Sequence, residues 1–573
     1  MKIVIKTIRF ALEILPKEKR LKLLGVVLLL GLNSLLDLLG LGAILPVFSV
    51  LLEDNVVEKY SWARWIYDSF ALSTENQLII VLAIALFIIV LSKNLISLWI
   101  RKLSSVFALG LFKEFALKLH KYYYKIGFNY FKTTNSNIVV RNLKGATNQF
   151  AQLQVLGSLN LINEIIVLIA ILVVIAIYNI KIFGLLIITV GPPFFVFYRW
   201  VRIRSIKLGE ETNTINPIVT KNFFQTIYGY VDVKIMGAEE SFRNNIKKDL
   251  TKLANIDVKT LIYNIAPTKV IETSLMLTIS IIICFGIYYL PSKTDLVKLL
   301  GLFAVAGYRI MPSINRMMIA INGLNRSQWI FDILRPLINV RSDEKIENSK
   351  LNFRKSLTLK NIDFSYPDSN DRIFNNFNLD IKKGEVIGLV GPSGAGKTTL
   401  MNILLGFIKP TKGSYLIDDV ILSEKYEASF YSKVGYVQQQ VYIIDGSLAE
   451  NIAFGLRKDQ IDENKLLDAV KKANLWELVK TLEHGVDEMI GENGTKLSGG
   501  QRQRVGIARA LYSESEILFF DEATSALDSD TEKEITNSIN SISDGKLTII
   551  IIAHRLSTLE HCDRIIEING QNQ

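Results

Sequence analysis

Gly391-Pro392-Ser393-Gly394-Ala395-Gly396-Lys397-Thr398-Thr399 decides the reading of this chain. The run fits G-x-x-x-x-G-K-[ST] without a mismatch. Before it stands Val386-Ile387-Gly388-Leu389-Val390, apolar and β-rich. After it, Thr399 to Leu405 reads as a helix start. In such a strand–loop–helix setting, glycines let backbone N–H groups turn onto phosphate oxygens, at a helix terminus whose dipole favours anions. Gly391, Ser393, Gly394 and Gly396 then shape the cradle, with Thr399 following them into the helix. Lys397 reaches the β- and γ-phosphates, and the Thr398 hydroxyl ligates Mg²⁺. The competing reading, a plain glycine-rich turn, leaves the flanking strand and helix without a purpose. The expected ligand is a nucleoside triphosphate.

Working outward, 573 residues allow roughly two to four domains. The mean hydropathy of +0.28 is high for a wholly soluble protein. The apolar excess lies before about residue 330, and the remainder reads as an ordinary α/β domain. The net charge of +11 sits beside the apolar runs, not in one patch, which points to membrane orientation and away from nucleic acid. Cys284 and Cys562 offer no disulfide framework, and the first apolar run is too long for a cleavable signal peptide.

Residues 1–22 interleave Lys2, Lys6, Arg9, Lys17 and Arg20 with Ile3, Ile5, Ile8, Phe10 and Leu12, the pattern of an amphipathic helix on a membrane surface. Leu23 to Leu52 holds a single charge, Asp37, and is long enough to cross a ~30 Å hydrocarbon core. Further spans are expected at about 78–100, 161–178, 182–200, 270–290 and 296–320, six in all. The basic connections 101–160 and 199–268 place both termini in the cytoplasm by the positive-inside bias. At their tips, Gly127 to Phe131 and Asn222 to Thr226 read as short docking elements for the nucleotide domain. Tyr60, Trp62, Trp65, Tyr67 and Phe70 crowd the first outer connection, either as an interfacial helix or as an ordinary aromatic belt. The fold class that follows is a polytopic α-helical membrane domain (1–334), a polar linker (335–356) and an α/β P-loop domain (357–573).

Beyond the phosphate loop the order of motifs resembles an ATP-binding-cassette (ABC) domain, from 353 to about 570. Tyr366, in Phe364-Ser365-Tyr366-Pro367, matches the aromatic that stacks on adenine. Gln439 matches the glutamine that touches Mg²⁺ and signals to the membrane domain. Leu497-Ser498-Gly499-Gly500-Gln501 matches the family signature, a second phosphate cradle that closes on the partner subunit's ATP. Glu492 resembles the acid of an exporter-specific loop. Ile517 to Phe520 is a buried strand leading to Asp521, which would hold the Mg²⁺ shell, and Glu522, which would act as general base. Asp528 matches the loop linking the two sites, and His554 the γ-phosphate sensor. Since one chain carries one cassette, the resemblance implies a homodimer.

Six spans fused to one cassette resemble the half-transporters among type IV ABC exporters, placed in the bacterial inner membrane. A mid-membrane charge costs about 2.5–3.5 kcal/mol, so it should line a cavity. Arg309 and Arg316 share one face of the sixth span, about 10.5 Å apart along the axis. Lys93 interrupts the second span, and Lys269 with Glu272 opens the fifth. These cations suit a phosphate or diphosphate; alternatively they pair with Asp37, Glu164 or Glu272. The run Tyr308-Arg309-Ile310-Met311-Pro312-Ser313-Ile314-Asn315-Arg316 resembles the PglK-type flippases of lipid-linked oligosaccharides. That resemblance implies a polyprenyl-diphosphate-linked glycan as substrate. The alternative is export of another lipid or glycolipid, a peptide or a drug.

Overall fold

The computed structural model describes residues 2–43, 46–47, 50, 56–178, 180–289, 293–338, 349–366, 371–521, 547–553 and 559–569. The chain divides into two compact units, Met1–Arg341 and Ser342–Gln573.

The first unit is helical. Helix α1 (Lys2–Ile14) leads through Pro16 into α2 (Lys17–Gly42). A short helix α3 (Ser61–Ser69) then precedes the 52-residue α4 (Glu75–Ile126). Next come α5 (Gly157–Tyr178), the 49-residue α6 (Ile180–Tyr228), the 51-residue α7 (Glu239–Tyr289) and α8 (Lys293–Arg326). Among the described residues, four stretches have a membrane span's length and apolarity: Glu75–Ile126, Ser136–Ile177, Phe183–Tyr228 and Glu239–Cys284. The expected first and sixth spans fall on α2 and α8, helices of 26 and 34 residues.

The pair α6–α7 illustrates how long these helices are. Thr189 meets Thr278 hydroxyl to hydroxyl at 2.6 Å, and Asn222 donates to Asp249 at 2.8 Å further along the same antiparallel pair. Those two contacts lie about 45 Å apart along the helices, more than a ~30 Å hydrocarbon core. Where α6 passes α8 the backbones touch: a Cβ on Gly209 would stand 2.0 Å from the Arg326 carbonyl oxygen.

Of the two expected docking tips, one shifts in detail. Gly127 does end α4, and a six-residue helix Phe128–Thr133 follows. Asn222 to Thr226, however, is interior to α6; the short helix at that tip is Tyr230–Ile235, begun by Gly229. The rings of Phe224 and Tyr228 stack at 5.6 Å, one turn apart, on this last stretch of α6. In the aromatic outer segment, α3 packs Ala63, Trp62 and Ile66 in one apolar cluster with Leu78 and Leu82 of α4, leaving Trp65 and Phe70 exposed.

The second unit holds two sheets. One is antiparallel, in the order β2 (Phe374–Lys382), β1 (Ser356–Phe364), β4 (Lys412–Ile417), β5 (Val420–Ile421). The other is parallel, in the order β6 (Val434–Val437), β7 (Ile517–Asp521), β8 (Thr548–Ile552), β3 (Val386–Val390), β9 (Arg564–Glu567). Apart from Asp521 at the end of β7 and Thr548 at the start of β8, these two strands are wholly apolar, as central parallel strands covered on both faces must be.

Candidate functional site

The parallel sheet brings the chemistry to one edge. Strands β3, β6, β7 and β8 run in the same direction, so whatever follows their C-terminal ends gathers on one side. After β3 comes the phosphate loop, after β6 Gln438 and Gln439, and at the end of β7 Asp521. Glu522, Asp528 and His554 themselves lie outside the described residues.

The loop enters helix α9 (Lys397–Leu404) through Gly396, which sits at φ +103° as the N-cap. Gly391 has φ +150°, and a Cβ there would meet the Ile568 carbonyl oxygen at 2.2 Å. Both positions therefore demand glycine. Leu400, Met401 and Leu404 anchor α9 in the core, while Thr398 faces outward. Lys397 is buried, and its ammonium donates to the carbonyls of Gly391 (2.7 Å) and Pro392 (3.0 Å), which hold it curled over the loop. Tyr366 is brought to the same place from the antiparallel sheet: its hydroxyl lies 3.3 Å from that of Thr399.

One residue at this edge escaped sequence reasoning. Tyr436, on β6, donates its hydroxyl to an Asp521 carboxylate oxygen at 3.1 Å. Burial first, and then the Asp521 charge, raises the Tyr436 pKa, so the phenol stays protonated and orients the carboxylate. The cross-strand register Tyr436↔Phe519 places it near the end of β7, which only the sheet order reveals.

The signature forms a helix start. Ser498 caps α10 (Gly499–Tyr512) in a closed capping box: its hydroxyl accepts from the Gln501 amide N–H (3.2 Å), and its own N–H donates to the Gln501 side chain (2.8 Å). Gly500 is buried while Ser498 and Gly499 face outward. Among the described residues no hydrogen bond joins this segment to the phosphate loop.

In the helical unit, three of the four expected substrate cations have carboxylate partners. Lys93 of α4 lies 3.0 Å from Asp37 of α2, and Lys269 lies 2.9 Å from Glu272 on its own helix. Arg316 of α8 donates to both carboxylate oxygens of Glu164 of α5, through Nε at 2.5 Å and Nη2 at 3.1 Å. The side chain of Arg309 lies outside the description. The Arg316–Glu164 pair forms part of the wall of a cavity of about 200 Å³, together with Asn33, Arg101, Gln152 and Asn163. Glu164 is 3% exposed and Arg316 34%, so the carboxylate is the buried member. Asn163 accepts from Asn33 (3.3 Å) and Ser34 (3.0 Å), which ties α2 to the same cluster. A hydrogen-bonded, charged cavity inside an apolar bundle is where a polar group could be received.

The family model described as "ABC transporter" matches residues 374–525. A Francisella novicida protein named ATP-dependent lipid A-core flippase is 33% identical over 396 residues, 68% of this chain and 66% of that protein. A Bordetella avium protein of the same name is 29% identical over 414 residues, 72% of this chain and 69% of that protein. The match thus spans just under two thirds of the length of the Francisella relatives. A solved structure, described as a bacterial Atm1-family ABC exporter with ATP bound, agrees with a TM-score of 0.75 over 97% of this chain and 94% of its own, at 21% identity. That agreement is one of fold.

Proposed function

Since residues 374–525 are an ABC transporter domain and the chain takes an ABC exporter's fold, we propose that it hydrolyses ATP to drive an anionic glycolipid across the bacterial inner membrane. The observation that carries the transport reading is the pairing of a P-loop unit with an apolar bundle whose interior cavity is lined by Arg316, Glu164 and amides. In this reading six helices span the membrane: α2, α4, α5, α6, α7 and α8. The ATP domain lies in the cytoplasm. Two copies work together, because each chain has one phosphate loop and one signature, and the outward Ser498–Gly499 edge serves the nucleotide of the other copy.

In each ATP site the loop amides and Lys397 hold the phosphates and Tyr366 stacks on the base. Thr398, Gln439 and Asp521 are the oxygen donors that suit Mg²⁺, a hard cation. Glu522 polarises the attacking water, His554 senses the γ-phosphate, and Asp528 links the paired sites.

For the substrate, the resemblance in the eighth helix favours a polyprenyl-diphosphate-linked oligosaccharide, its diphosphate meeting Arg309 and, once released from Glu164, Arg316. Lys93 and Lys269 join only if their own pairs open. A second reading, a lipid A-type glycolipid, is favoured by the names of the curated relatives. The test is ATP-dependent movement of each lipid in proteoliposomes of purified protein, with Glu522→Gln as the blank. Movement of the diphosphate-linked sugars alone supports the first reading, and movement of the lipid A-type glycolipid alone the second. ATP hydrolysis with neither lipid moved refutes both.

A further inference from the structure

Helix α1 is apolar over a wider arc than the bundle fully buries. Inward, Phe10 packs its ring edge-on against Phe150 and Phe331 at 5.6 and 5.1 Å, and Thr7 donates to the buried Gln154 at 2.8 Å. Lys118 of α4 donates to the Ile14 carbonyl at 3.0 Å and closes the end of the helix. So held, α1 cannot roll to bury what its inward face leaves out. At the rim of that face Ile8 and Leu12 are half-buried against the core, and beside them Ile5 is 60% exposed.

These three residues line a groove of about 380 Å³, completed by Arg9, Glu13 and Arg20. Among the described residues Arg9 pairs with Glu13, in an exposed pair at 3.0 Å, which costs little to open. Arg20 spends its Nε on the Leu15 carbonyl (3.0 Å), which fixes the guanidinium at the groove's end. Beyond Arg20, α2 exposes Leu21, Leu24 and Leu28, the stripe of a helix facing lipid.

We propose that this groove holds one anionic glycerophospholipid, with its phosphate against Arg9 and Arg20 and an acyl chain along Ile5, Ile8 and Leu12. Charge complementarity selects the occupant. The groove's charged lining is two arginines against the single carboxylate of Glu13. That net cationic lining is neutralised by a phosphodiester. The inference needs only that the bundle sits in a membrane, and is independent of the transported substrate.

The experiment uses the full chain in nanodiscs of phosphatidylcholine with one-quarter phosphatidylglycerol, and counts retained lipids by native mass spectrometry. The variant Arg9→Gln/Arg20→Gln should lose at least one phosphatidylglycerol per chain and bind it roughly tenfold more weakly or worse. Phosphatidylcholine retention should not change. Equal phosphatidylglycerol retention by variant and wild type overturns the site, as does loss of both lipids together. A photoreactive phosphatidylglycerol provides a readout without mutation: label on the peptide 2–20 of the wild type supports the proposal. Absence of label there, or a cross-link between the two α1 helices of a dimer instead, overturns it.

Discussion

Removing Arg316 and removing Glu164 should have unequal consequences, because the two ends of the pair are unequally buried. Arg316→Met keeps most of the side-chain volume but leaves a carboxylate that is 3% exposed without its bidentate partner. Stripping one member from a buried ion pair costs about 3–5 kcal/mol. Glu164→Gln instead leaves a guanidinium that is 34% exposed and borders a cavity of about 200 Å³. That volume has room for several waters at ~30 Å³ each, so the arginine can be rehydrated where it stands. The cost falls to about 1 kcal/mol, near that of one hydrogen bond.

The double variant Glu164→Gln/Arg316→Met removes both charges and should lie within about 1 kcal/mol of wild type. In a unit of this size each kcal/mol moves the apparent Tm by roughly 2 °C. Arg316→Met should therefore lower it by roughly 6–10 °C, and Glu164→Gln and the double variant by only a few degrees. The assay is thermal unfolding in nanodiscs, all four proteins scanned at one rate because the transition of a two-unit membrane protein is irreversible. Equal losses from the two single variants would refute the burial argument, and strict additivity in the double variant would refute the pairing itself. Function gives a second readout. Glu164→Gln frees a cation in the cavity, so half-maximal stimulation of ATPase by a phosphate-bearing lipid should occur at several-fold lower concentration.

Glu522→Gln should bind ATP as wild type does yet lower turnover by at least ~100-fold, as loss of a general base does; phosphate release at the normal rate contradicts that role. Gly391→Ala places a methyl group against the Ile568 carbonyl, in a backbone region L-residues avoid. It should cost about 1–3 kcal/mol and abolish binding of a fluorescent ATP analogue. Tyr436→Phe removes the hydrogen bond that orients Asp521, so the Mg²⁺ concentration for half-maximal ATPase should rise several-fold while metal-free nucleotide binding is unchanged. Glu516 titrates below the ordinary carboxylate range: burial pushes its pKa up, but the hydrogen bonds from Lys383 and Lys433 outweigh it. A depressed folded-state pKa stabilises above the unfolded value, near 4.5, and that stability is lost as pH falls through the folded one. Glu516→Gln should therefore flatten the acid limb of the Tm–pH curve below about pH 5.

The ATP unit was legible because its determinants are local. The cap at Ser498, the glycines at 391 and 396 and the apolar strands β3, β7 and β8 each follow from a few consecutive residues, and parallel strands leave their functional residues at the same ends. Tyr436 was missed because its partner lies 85 residues on and meets it only through strand order. In the bundle the same logic fails for a different reason. A span in lipid is apolar on nearly every face, so periodicity marks its length but not which side meets its neighbours. The partners Asp37, Glu164 and Glu272 could be named as alternatives from the rarity of charges in such spans, whereas the choice of Glu164 for Arg316 depended on α5 packing beside α8. That choice changes the chemistry expected of the cavity. An arginine held by a carboxylate is neutralised until something displaces it, so a diphosphate entering there must compete with Glu164 rather than fill an open clamp. Under the proposed function, a cation that held a substrate's phosphate in one state would be returned to its carboxylate in the next, and release of the headgroup would require no loss of that charge.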